Sequence, residues 1–195
     1  MTVDDKRRTI GPRDYEYCPW CSSPLEEKDF EGRKRLKCRV CDFVWYRNPV
    51  PAAGAIIYGD RGLLMVKRKF EPASGGWTLP AGFMEYDESP TECCIREIKE
   101  ETGLDIEIKR LFWNYKAGDD PRTMVVLILY LADITGGELR AGDDAVEAGF
   151  FGLDNLPSNI AFKAHRRAIA DFRDYLKDGR FPDGDGGRNT ENSGD

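Results

Sequence analysis

The sequence predicts an α/β fold in which a mixed β-sheet is covered by helices, with a small cysteine-rich ribbon ahead of it. Three observations carry this prediction. Apolar runs of strand length, AAGAIIY, GLLMVKR, TMVVLILYL and AVEAGFF, recur between residues 52 and 151, and such runs bounded by turn residues read as strands. Two segments with helical signals, SPTECCIREIKEETG and NIAFKAHRRAIADFRDYLKDG, lie among and after them. Finally, four of the six cysteines fall into two tight pairs within a charged stretch that holds too few apolar residues to fold by packing alone.

With 195 residues, 41% of them hydrophobic, the chain can bury one good core and carry a small appendage. The predicted division is a charged tail over 1–14, the ribbon over 15–47, the main domain over 48–180, and a Gly-, Asp- and Asn-rich tail over 181–195. In the main domain, AAGAIIY and GLLMVKR flank Gly59 and Asp60, which favour a tight turn, so a hairpin is expected. GGWTLPAGF reads as a short strand or extended loop. In the central helix Ser89 is placed to cap, Pro90 suits the first turn, Glu92 completes a capping box and Gly103 marks the exit. DIEIKRLFWNY, TMVVLILYLADI and AVEAGFFGL follow as strands, the second continuous enough to be buried on both faces. The last helix is amphipathic, with Ile160, Phe162, Ala168, Ile169, Phe172 and Leu176 as its apolar positions.

Composition excludes some classes of function. Acids outnumber bases 35 to 29, a formal net charge of −6, which argues weakly against a nonspecific binder of nucleic acid or acidic membrane and leaves room for a local basic patch. The ribbon over 15–47 holds seven Lys and Arg against six Asp and Glu, no strong phosphate-binding stripe by that count. No run of about 18 apolar residues and no secretory h-region occurs, so a cytoplasmic location is expected.

Cys18 and Cys21 form one C-x2-C pair and Cys38 and Cys41 another, with sixteen residues between them. That spacing lets two knuckles present four thiolates to one tetrahedral ion, which predicts structural Zn2+. Four protein ligands leave zinc no open position, so the site holds structure. Cys93 and Cys94 are adjacent on the central helix and cannot face one ion together, which makes them small buried residues. His165 is not needed as a ligand and is expected at or near the surface.

On the central helix Glu97, Glu100 and Glu101 fall within an arc of about 100°. Carboxylates so placed repel unless a cation sits among them, and ligation by oxygen alone selects Mg2+ or Mn2+. Ile95 and Ile98 are expected to anchor the other side of the helix in the core. From Gly82 the chain reads G-x5-E-x7-R-E-U-x-E-E-x-G-U, with Glu88, Arg96, Glu97, Ile98, Glu100, Glu101, Gly103 and Leu104 at its fixed positions. This string resembles the Nudix box at every position, and the likeness extends over roughly Asn48 to Gly179. It implies an α/β/α sandwich that hydrolyses a nucleoside diphosphate linked to another group X.

Carried over by position, the resemblance makes Glu97, Glu100, Glu101 and the Gly82 carbonyl the Mg2+ ligands, oriented by Arg96 and Glu88. The general base is a box glutamate or a later acid. Glu147 resembles that later acid, with Asp143 and Asp144 as neighbouring competitors. Lys67 and Arg68, at the end of a strand, are candidates to bind substrate phosphate. The segments YCPWCSSPL and CRVCDFVWYRNP resemble the zinc ribbon that precedes the Nudix domain in NADH pyrophosphatases and in a related group acting on FAD or ADP-ribose. The expected reaction is hydrolysis of FAD or ADP-ribose with release of AMP, and NAD(H) is the alternative substrate. NADH pyrophosphatases carry an S-Q-P-W type motif downstream of the box, whereas this chain has LFWNYKAGDDPRTM. Phe112, Trp113, Tyr115 and Phe162 are either stacking platforms or core. A non-catalytic nucleotide sensor or adaptor is the reading from another class, and the complete set of box glutamates argues against it. The resemblance also implies a homodimer.

Overall fold

The computed structural model describes residues 15–120, 123–142 and 144–182. Both tails expected from composition lie almost wholly outside that range. The exception is Phe181, which packs on Phe112 and Tyr175. The chain separates into two compact units at Pro49 and Val50.

In the first unit β1 (Leu25–Phe30), β2 (Arg33–Cys38) and β3 (Val44–Trp45) form an antiparallel meander in the order β1-β2-β3. Glu31 and Gly32 turn the hairpin with φ of 52° and 75°. Both are left-handed, as a two-residue hairpin loop with the strands' own twist requires. The knuckles at its end bring the four cysteine sulfurs together.

The second unit holds two four-stranded sheets and two helices. One sheet has the order β8-β4-β10-β9, with β4 at Val50–Ile56, β8 at Ala81–Phe83, β9 at Leu104–Ala117 and β10 at Val125–Gly137. It is mixed, because β10 runs parallel to β4 and antiparallel to β9. The other contains β5 (Tyr58–Gly59), β6 (Gly62–Arg68) and β11 (Ala145–Phe151) in the order β11-β6-β5, with β7 (Trp77–Thr78) also paired to β6.

The expected hairpin is therefore confined to its tip. Tyr58 and Gly59 pair with Leu63 and Gly62, while β4 and the rest of β6 belong to different sheets. The small residues of β4 explain the separation: Ala53 and Ala55 lie under helix α1 (Pro90–Thr102), and a Cβ on Gly54 would stand 2.3 Å from the Pro80 carbonyl oxygen. Such close approach of β8 and α1 claims β4 for the first sheet. Strand β10 alternates buried and half-buried positions instead of burying both faces.

Two cores result. Cys93, Cys94 and Ile98 of α1 pack on Ala53, Ala55, Ile57 and Leu64, so both cysteines are fully buried as expected. Ile95, by contrast, is 45% exposed, so of the two isoleucines Ile98 alone joins the core. On the other side, α2 (Lys163–Asp178) sets Ala164, Ala168, Ile169 and Phe172 against Phe112, Leu127 and Leu129. The helix starts later than its periodicity suggested. Ile160 bridges to Trp77 and Phe162 is extended, so both precede the first turn, and Leu176 is exposed. No helix among the described residues is long and apolar enough to cross a membrane.

Candidate active site

The site is built on the start of β8 and on one face of α1. Ser89 caps the helix, accepting from the Glu92 backbone N–H while the Glu92 carboxylate accepts from Ser89 N–H. Gly103 ends it in the left-handed conformation at φ 72°, a position glycine fills without strain. Beyond it, Arg140 and Gly142 donate backbone N–H groups to the carbonyls of Thr102 and Glu101. Both ends of the helix are thus fixed, and its carboxylates with them.

Arg96 binds the acids around it. Its Nε and Nη2 grip Glu88 at 2.9 and 2.6 Å, its Nη1 reaches Glu97 at 2.7 Å and Glu100 at 2.9 Å, and Nη2 also donates to the Phe83 carbonyl. The paired bonds from Arg96, together with the Glu85 backbone N–H, hold Glu88 down to a pKa of about 2. Glu88 therefore acts as a fixed counter-charge for the arginine, which in turn orients two of the helix glutamates.

Glu97 and Glu101 are set apart by burial. The Glu97 carboxylate lies against the backbone of Gly82, so close that a Cβ there would come within 2.0 Å of its carboxyl carbon. Burial raises its pKa. Glu101 accepts the Ala81 backbone N–H at 3.0 Å and is only 9% exposed; burial, followed by repulsion from Glu97, raises its pKa to about 8. Glu100 is the exposed member, its side chain 45% accessible.

A divalent cation fits this donor set. Oxygen donors on one helix face, a glycine whose missing Cβ admits a carboxylate, and a buried acid costly to ionise alone are what a hard cation would stabilise. The three carboxylates are not drawn into one cluster, however. Among the described residues only the four ribbon cysteines place all their donor atoms within 4.8 Å of one another.

A pH dependence follows from Glu101. Were Glu101 to ligate a divalent cation, the cation would displace its proton below about pH 8, so apparent affinity for Mg2+ as the probe should rise as pH increases from 6 to 8 and level off above. Calorimetric titrations across that range check the slope.

The remaining candidates sit on β6 and β11. Lys67 on β6 pairs with Glu147 opposite it on β11 at 3.4 Å, on the sheet face that carries Leu63 and Met65 of the α2-side core. Arg68 is the cation whose charge bears on Glu101, and Asp144 is the acid beyond α1 that does so. Asp144 is held there because its carbonyl accepts from Lys69 N–H while Ala145 N–H bonds Gly142. Asp143 lies outside the described residues. Of the aromatics, Phe112 and Tyr115 are core, and Phe162 lies beneath the Arg68 guanidinium at 5.1 Å.

Sequence reasoning missed two groups. The Cys93 thiol is 3.7 Å from the Gly82 carbonyl oxygen, one turn of helix before Glu97. His165, expected near the surface, is buried, and its Nδ1 accepts the Leu79 backbone N–H at 3.2 Å. It thereby ties α2 to the segment leading into Ala81 and Gly82. Its place was legible, since 164, 165, 168, 169 and 172 make one helical stripe.

Burial, with Arg68 nearby, lowers the His165 pKa to about 4. The unfolded chain takes up this proton near pH 6.5 and the folded one only near 4, so the histidine makes stability fall as pH drops through that window. Replacing His165 with Ala strands a buried N–H and should cost about 1–3 kcal/mol at pH 7, read by denaturant unfolding.

In the ribbon the four sulfurs approach at 3.4 to 3.6 Å. A tetrahedral Zn–S site with bonds of about 2.3 Å spaces its sulfurs about 3.8 Å apart, so the cluster fits zinc. Backbone N–H groups of Trp20, Val40 and Cys41 point at the sulfurs of Cys18 and Cys38, as thiolate ligands require.

A capped helix carrying R-E-x-x-E-E beside a strand glycine defines a Nudix hydrolase site, and the chain belongs to that family. The NUDIX domain profile matches residues 48–172. The chain is 47% identical over 128 residues to an ADP-ribose pyrophosphatase from Methanocaldococcus jannaschii, covering 65% of this chain and 75% of that protein. It is 30% identical over 167 residues to the NAD-capped RNA hydrolase NudC of Chromobacterium violaceum, covering 82% of this chain but only 60% of that longer protein. A crystal structure of a NUDIX hydrolase from Nitrosomonas europaea superposes with a TM-score of 0.75 at 28% identity, over 85% of this chain and 94% of that one.

Proposed function

We propose that the protein hydrolyses the diphosphate bond of ADP-ribose, releasing AMP and ribose 5-phosphate, with Glu97, Glu100, Glu101 and the Gly82 carbonyl holding Mg2+ or Mn2+. The observation that carries the catalytic reading is the pair of α1 carboxylates packed against β8: half-buried Glu97 against Gly82 and buried Glu101 on the Ala81 N–H. A divalent cation at that site neutralises diphosphate oxygens and lowers the pKa of water.

The chain's own groups have separable tasks. Arg96 and Glu88 fix the directions of Glu97 and Glu100. Arg68, whose Nε donates to the Pro72 carbonyl, carries positive charge near Glu101 for a substrate phosphate, and Lys67, paired with Glu147, is the second candidate. Glu147 remains the base suggested by resemblance, and Asp144 is the acid electrostatically nearer the helix. The ribbon cysteines hold structural zinc.

ADP-ribose is preferred over FAD and NADH because of the likeness to the archaeal ADP-ribose pyrophosphatase. The NudC likeness favours NAD(H) as the second reading. A panel of ADP-ribose, FAD and NADH with Mg2+ or Mn2+, with products separated by chromatography, tests the choice. The expected result is AMP plus ribose 5-phosphate as the fastest reaction. NMN(H) appearing faster would select the second reading.

A further inference from the structure

Counted along the chain, the ribbon is nearly neutral, but its register sorts the charges. Residues opposite one another in an antiparallel pair project from the same face, and successive residues alternate. Leu25 pairs with Cys38, Glu27 with Leu36 and Asp29 with Lys34. That face therefore holds the apolar residues and two acids, and Lys34 lies within 3.7 Å of Glu27 and 3.6 Å of Asp29.

The other face carries Glu26 opposite Lys37, Lys28 opposite Arg35, and Phe30 opposite Arg33. It has four cations and one acid. The acid is already engaged by Lys28 and by Arg39, while Arg33, Arg35 and Lys37 have no ion-pair partner among the described residues. They succeed one another about 7 Å apart along β2.

Aromatic rings are interleaved with them. The Arg35 guanidinium lies over Tyr46 at 4.3 Å from the ring centroid and Lys37 over Phe30 at 5.4 Å. Tyr46 is 44% exposed. Arg35 Nε is, among the described residues, the one buried side-chain polar atom without a hydrogen-bond partner. The guanidinium is thus held in place by stacking and not by an acid.

We propose that this face, formed by Lys28, Phe30, Arg33, Arg35, Lys37 and Tyr46, binds single-stranded nucleic acid. Arg33, Arg35 and Lys37 in a row can follow a phosphate backbone, and the exposed Tyr46 ring beside them can accept an unstacked base. A duplex keeps its bases stacked and leaves the rings nothing to bind. An anionic lipid surface would use the cations and be indifferent to the rings. The proposal is independent of the reaction at the α1 site, and it concerns a local patch that the net charge, summed over both faces, does not reveal.

The test uses the full chain and a fluorescein-labelled single-stranded oligonucleotide about 20 nucleotides long, followed by anisotropy. Neutralising about three phosphates predicts a slope of about −2 for log affinity against log salt concentration. Arg33→Glu/Lys37→Glu should weaken binding at least about ten-fold and Tyr46→Ala about five-fold, the loss expected for one stacked base. Lys34→Glu, on the opposite face of the same strand, should stay within about two-fold. Zinc content and ADP-ribose turnover, measured alongside, should match the wild type in all three variants. Equal losses for Lys34→Glu and the double variant, a flat salt dependence of the wild type, or binding to phosphatidylserine vesicles but not to the oligonucleotide would each overturn the proposal. If the double variant loses zinc, the salt slope and Tyr46→Ala decide the matter.

Discussion

Glu101→Gln should lower Mg2+-supported turnover by about a thousand-fold, because a cation ligand that contributes several kcal/mol of transition-state stabilisation is lost. The same change should leave the fold intact. Glutamine retains the oxygen that accepts the Ala81 N–H and removes a carboxyl group whose ionisation in this buried place is unfavourable. Activity and stability are therefore expected to part company, with kcat collapsing while the melting temperature holds or rises. A substitution that damaged packing would lower both together. Glu100→Gln offers a comparison. Its carboxylate is the exposed one and, among the described residues, its hydrogen bond is to Arg96, so its loss should disturb no buried contact while still removing a proposed ligand.

The second large effect concerns the ribbon. Cys38 is buried, its sulfur lies 3.4 Å from that of Cys21, and it accepts the backbone N–H groups of Val40 and Cys41. Cys38→Ser should reduce zinc from about one per chain to none and unfold β1 to β3, since the meander buries little apolar surface of its own. Metal analysis gives the first outcome, and amide hydrogen exchange over residues 15–47 gives the second. The Nudix unit has its own cores on α1 and α2 and should keep its protection. Full zinc content in the variant would refute the four-cysteine assignment.

The two predictions rest on features that were unequally legible. Spacing alone announced the ribbon, because two C-x2-C pairs restrict the chemistry whatever the fold around them. Helix α1 was equally plain: Ser89, Pro90, Glu92 and Gly103 are local signals, and all act locally. What the sequence concealed is nonlocal. Nothing in AAGAIIY indicates that Ala53 and Ala55 lie under α1 and not beside GLLMVKR, because the choice between sheets is made by β8 and α1 arriving from elsewhere.

The site shows the same division. The three glutamates could be placed on one face by angle, but angle does not distinguish buried Glu101 from exposed Glu100. That difference comes from β8, which crosses the helix at Ala81 and Gly82. The resemblance assigns Arg96 the task of orienting the glutamates, and its bonds to Glu88, Glu97 and Glu100 are contacts such a task would use. His165 was misjudged because a polar residue was read by type when its position on the apolar stripe was the better guide. The division of the ribbon charges between two faces could not be seen in a sum over sequence, which ignores which side of a strand each residue occupies.

The central claim is that these carboxylates hold a divalent cation for cleavage of an AMP-containing diphosphate. Its most direct test is turnover of ADP-ribose by purified protein, stripped of loosely held metal and then supplied with Mg2+, with products separated by chromatography. The account predicts AMP and ribose 5-phosphate in equal amounts with Mg2+, and neither product without it or with Glu101→Gln. Equal turnover with and without added divalent cation, or undiminished turnover by Glu101→Gln, would contradict it.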